Sequence, residues 1–86
     1  MAIRRSLHSR DYAAFLKLLR SAREDAEVTQ VELAKRLNQT QTWISKCERG
    51  QRRVDLIEMR LICNALRVDF GAFIKRLDAV LKTSRR

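Results

Sequence analysis

Eighty-six residues suit one domain and leave little for a second. A 45% hydrophobic content supplies one core and argues against a wholly disordered chain, while the absence of proline and the presence of only two glycines disfavour a turn-rich all-β fold. Nineteen Lys and Arg against ten Asp and Glu give a net +9, a balance that points to a polyanionic partner, with a solvated basic surface as the bland alternative.

Residues 1–10 read as a flexible basic arm. Arg4 and Arg5 could reach a DNA backbone or minor groove, and an inert arm is the equal alternative. This stretch lacks the apolar core of a secretory signal, and no run approaches the ~18 apolar residues of a membrane span, so a cytoplasmic protein is expected.

The first helix is predicted over about 11–25, with Tyr12, Phe15, Leu18, Leu19 and Ala22 on one face at three- and four-residue steps. A second, over 30–37, follows Thr29, whose spacing to Glu32 matches a capping box, and presents Leu33, Ala34 and Leu37. Asn38 suits the left-handed backbone that ends a helix. A third helix follows Thr40 and runs to about 48, with Ile44 and Cys47 inward and Gly50 just past its end. Asp55, with Glu58 at N3, opens a fourth helix whose inward face is Leu56, Met59, Ile62, Cys63 and Leu66; Ile57 and Leu61 form a neighbouring apolar stripe. A fifth runs over about 71–82 after Asp69, and residues 83–86 are expected to fray. The prediction is a single all-α domain over residues 11–82.

Cys47 and Cys63 are read as small buried hydrophobes. With His8 the only histidine, neither a zinc set nor a catalytic base with its partner is assembled. No nucleophile–base pair or glycine-rich phosphate loop is present, so neither an enzyme nor a bound metal or cofactor is expected.

The second and third helices, joined by a tight turn, have the size of a helix-turn-helix. Gln41, Thr42, Ser45 and Lys46 lie on the outward face of the third helix. These side chains can read patterned donors and acceptors in the major groove, as Gln does with adenine and Lys with guanine. Lys35, Arg36, Lys46, Arg49, Arg52 and Arg53 surround that helix against Glu48 alone, the arrangement that phosphate neutralisation needs. Trp43 has two readings: beside a DNA sugar-phosphate backbone, or packed under the 49–54 loop. The apolar stripe Phe73, Ile74, Leu77, Val80 and Leu81 of the fifth helix either completes the core or, joined by Ile57 and Leu61, pairs two copies of the chain.

The stretch Thr29-Gln-Val-Glu-Leu-Ala-Lys-Arg-Leu37, then Gln41-Thr-Trp-Ile-Ser-Lys-Cys-Glu-Arg-Gly50, then Leu56-x-x-Met59-x-x-Ile62-Cys-Asn-Ala-Leu66, resembles the Cro-repressor-type (Xre, lambda-repressor-like) helix-turn-helix family over about residues 11–70. The resemblance implies a five-helix DNA-binding domain that reads double-stranded DNA with its third helix and acts as a homodimer on a two-fold symmetric operator. It also implies that Gln30 contacts a phosphate and braces Gln41. Trp43, Arg49, Arg52 and Arg53 would meet the DNA backbone, and Arg23 would pair with Glu48. The chain departs from the family pattern at Asn38, Gln39, Val54 and Arg67, all outside the reading face.

The expected function is therefore sequence-specific transcription regulation in the bacterial cytosol or nucleoid, with RNA polymerase as a candidate partner. The alternative is an antitoxin-like module that mainly holds a toxin partner and binds DNA to regulate its own operon.

Overall fold

The computed structural model describes residues 9–84. Among them are five helices and no strand: α1 (Arg10–Asp25), α2 (Gln30–Arg36), α3 (Gln41–Glu48), α4 (Leu56–Leu66) and α5 (Phe70–Ser84). The expected arm, with Arg4, Arg5 and His8, lies outside the described residues.

Local chemistry sets the helix starts. Ser9, Thr29, Thr40 and Asp55 each accept the N3 amide of the helix they open, and the Asp69 carboxylate accepts the Ala72 amide at 2.8 Å. Asp55 and Glu58 form a complete capping box. Thr29 and Glu32 form only half of one, because the Glu32 carboxylate turns to Arg36 at 3.4 Å. The helix ends follow a common rule. Each of the four junctions carries one left-handed residue: Glu27 (φ 59°), Asn38 (φ 57°), Gly50 (φ 77°) and Arg67 (φ 61°). Asn38 and Gly50 were predicted to take this role.

The boundaries shift slightly from expectation. Helix α1 begins at Arg10, and α5 extends through Thr83 and Ser84, which were expected to fray. An Asp78–Lys82 pair at 3.2 Å and the Thr83 hydroxyl on the Ala79 carbonyl support that last turn.

The core combines Leu18, Leu19 and Ala22 of α1 with Leu33, Ala34, Ile44 and Cys47 of the helix-turn-helix. Met59, Ile62, Cys63 and Leu66 of α4 and Phe73 of α5 complete it. Burying each large side chain contributes about 1.5–3 kcal/mol. Helix α1 packs on α3 and α5, and α2 packs on α3 and α4, so the recognition pair is seated on both α1 and α4.

One expectation is corrected and one open alternative is resolved. Leu56, assigned to the inward face of α4, is 64% exposed because it starts the helix beyond the core's edge. Phe73, a candidate for a dimer surface within a stripe that could also complete the core, takes the core role: it is 3% exposed and meets Phe15 edge-on at 6.3 Å. The middle of the α5 stripe is consumed by intramolecular packing, and Leu77 is half-buried against the same core.

Candidate nucleic-acid interface

Helix α3 has one buried and one open side. Ile44 and Cys47 are 2% and 1% exposed. Gln41, Thr42 and Lys46 are exposed, and Ser45 is half-buried. All four predicted base-reading residues thus share the side of α3 away from its core contacts.

The root of α3 is held by a buried network. Arg23 Nε donates to Glu48 Oε2 at 2.6 Å and Nη2 donates to Oε1 at 3.0 Å. Arg23 Nη1 donates to the Val28 carbonyl at 2.9 Å. The expected pair is therefore formed, and its side chains are only 10% and 4% exposed. The hydrogen bonds to Glu48 hold the Arg23 guanidinium above its ordinary pKa, against the opposing effect of burial. Gln30 Nε2 donates to Glu48 Oε1 at 3.1 Å, and Gln41 Nε2 donates to Gln30 Oε1 at 3.4 Å. A polar chain thus runs from α1 through Glu48 and Gln30 to the first residue of α3, forming the brace expected of Gln30.

The loop after α3 departs from expectation at Arg52. Its guanidinium donates to both Glu58 oxygens, at 3.0 and 2.6 Å, and to the Arg53 carbonyl at 2.9 Å. It also lies 4.7 Å from the centroid of the Trp43 ring. Arg52 is thus a clamp between α3 and α4 rather than a loop cation held out for phosphate. The Arg52 hydrogen bonds keep the Glu58 carboxyl below its usual value, while burial acts the other way. Trp43 takes the second of its two readings. Its half-buried ring packs beneath Arg52 and shares a groove of about 160 Å³ with Leu37, Gln39, Glu58 and Leu61. Arg49 and Arg53 are exposed, and the Arg53 guanidinium lies 5.3 Å over the Tyr12 ring.

Two links near the interface escaped the sequence reading, which had placed Arg36 among the cations around α3 and Tyr12 on the apolar face of α1. Arg36 Nη1 donates to the Ala65 carbonyl at 2.7 Å, tying α2 to the last turn of α4. The Tyr12 hydroxyl accepts the Val54 amide at 2.9 Å. Neither link carries a periodic or motif signal, because both join distant segments.

Burial pushes the Cys63 thiol up to about 11 and also raises Cys47. Among the described residues no His, Cys, Asp or Glu group is arranged to hold a metal, and no helix is long and apolar enough to cross a membrane.

The sequence pattern of a family described as a helix-turn-helix domain matches residues 11–77. An XRE-family like protein from Pseudomonas syringae pv. tomato str. DC3000 is 42% identical, with a TM-score of 0.79 over 84% of this chain and 88% of that one. This chain belongs to the Xre helix-turn-helix family. Its fold is also similar to that of a point mutant of the restriction-modification controller protein C.Esp1396I, at 25% identity and a TM-score of 0.78 over 85% of this chain and 97% of that one. The clp gene regulator ClgR from C. glutamicum is 26% identical, with a TM-score of 0.72 over 84% of this chain and 94% of that one. No curated protein matches the chain. Membership identifies the protein as a DNA-binding regulator of transcription.

Proposed function

We propose that this Xre-family chain is a sequence-specific regulator that lays α3 in the major groove of double-stranded DNA and binds its operator as a homodimer. The observation that carries the reading is the two-sided α3. Gln41, Thr42 and Lys46 stand exposed on a helix whose other side and C-terminal residue are locked in the core. A reading helix needs a fixed frame, because hydrogen bonds to base edges tolerate little misplacement. Ser45 completes the base-facing set. Gln30, Arg49 and Arg53 provide the backbone contacts, and Arg52 and Trp43 hold the loop that carries two of them.

The proposed self-association surface is the exposed pair Ile57 and Leu61, one turn apart on α4, with Ile74, Val80 and Leu81 of α5 beside the buried Phe73 and half-buried Leu77. A two-fold pair would place two α3 helices roughly 34 Å apart, one turn of DNA. The restriction-modification controller and the clp gene regulator are, by name, regulators of the same fold. A compact DNA-binding domain of this kind controls transcription by occluding a promoter or by contacting RNA polymerase, and neither route requires a cofactor.

Selection of bound duplexes from a random pool, at stated salt, tests the reading. Two symmetric half-sites should emerge. Gln41→Ala and Lys46→Ala should each relax preference at one base pair by about 1–3 kcal/mol. An unenriched pool, or variants that weaken all sequences equally, would reject α3 as the reading helix.

A further inference from the structure

The basic loop between α3 and α4 is closed differently at its two ends. At the α3 end its backbone folds onto the helix: the Gly50 amide bonds the Cys47 carbonyl at 3.1 Å, and the Gln51 and Arg52 amides bond the Lys46 carbonyl at 2.9 and 3.2 Å. At the α4 end the Val54 amide takes its acceptor from another helix, the Tyr12 hydroxyl 42 residues earlier in the chain. Val54 is 8% exposed, so water is a poor substitute for that acceptor.

Tyr12 is itself held in place. Its ring lies 5.4 Å from Phe15, which stands against Phe73 in the core. The exposed Arg53 guanidinium lies over the Tyr12 ring. One side chain of α1 therefore touches both the backbone and a cation of the loop.

We propose that Tyr12 is a positioning residue for DNA-backbone binding: its hydroxyl fixes the Val54 end of the basic loop, and its ring sets the station of Arg53. The proposal rests on the reading of α3 and this loop as a DNA interface. Phosphate positions are fixed relative to the groove that α3 occupies. A loop released at Val54 would therefore lose phosphate contacts while leaving base discrimination intact.

Tyr12→Phe removes the acceptor but keeps the ring. The full chain is titrated with a fluorescent duplex of the selected operator and with a scrambled duplex, across a salt series. Both Kd values should rise by the same factor, about fivefold, and the salt slope should become shallower by about one. The ratio between the duplexes should stay unchanged. A purely structural role would lower the melting temperature without changing the salt slope of the folded protein. Val54→Pro deletes the amide hydrogen, so in that background Tyr12→Phe should change Kd by less than about twofold. Equal losses in both backgrounds, or an unchanged slope in the Val54 chain, would overturn the proposal. Hydrogen exchange at the Val54 amide in the free protein should quicken in Tyr12→Phe. That readout needs neither DNA nor a folded proline variant, and unchanged exchange would reject the anchor. Wild-type protein that ignored both duplexes would instead reject the DNA interface itself.

Discussion

Two Arg–Glu pairs flank α3, each with a shortest contact of 2.6 Å, yet they occupy different surroundings. The side chains of Arg23 and Glu48 are 10% and 4% exposed, whereas those of Arg52 and Glu58 are 37% and 24% exposed. The first joins α1 to the end of α3 inside the protein, where either charge would be stranded without the other. The second lies near solvent, where water screens it and much of its value comes from its company. Glu58 also completes the Asp55 capping box, and Arg52 also covers Trp43. Equal distances therefore do not mean equal energies, and the two pairs serve different ends: one seats the reading helix, the other ties its loop to α4.

The largest expected effect comes from breaking the buried pair. Glu48→Ala should destabilise the fold by about 3–5 kcal/mol in urea denaturation, because Arg23 is left buried and Gln30 loses its acceptor. A cost no greater than that of breaking the outer pair would show that burial is not what separates them. Glu58→Ala should cost about 1–2 kcal/mol, combining a screened ion pair with a lost cap partner. It should also change the emission of Trp43, the only tryptophan, as Arg52 leaves the ring. The smallest effect concerns acid. The folded-state pKa of Glu58 lies below its ordinary 4.5, so its contribution is present above that value and fades as pH falls through the lower folded value. The stability difference between wild type and Glu58→Gln should accordingly shrink as pH falls below 4.5, as followed by denaturation midpoints.

Much of this arrangement is legible in the sequence. The three- and four-residue apolar steps placed every helix, and the caps Thr29, Thr40, Asp55 and Asp69 located their starts within a residue or two. The open face of α3 followed from where Ile44 and Cys47 had to point. The Arg23–Glu48 pair was expected only through family resemblance, since no local pattern links residues 25 positions apart. Arg52 was misjudged because a loop arginine looks like a free cation until its partner is known, and Glu58 was already explained as a helix cap. Phe73 belonged to a stripe too long for one role. Periodicity shows that a face is apolar, but only the packing of α1 shows where the core stops and open surface begins.

The helix junctions carry a consequence for refolding. Three of the four bends use Glu27, Asn38 and Arg67, residues with side chains in a backbone region where glycine is most at ease. Glycine at any of these positions would relieve native strain of about 1 kcal/mol, yet would widen the range of shapes open to the denatured chain by a comparable free energy. The exchange should leave equilibrium stability nearly untouched, so the scarcity of glycine here costs the folded protein little and narrows the search by which it forms.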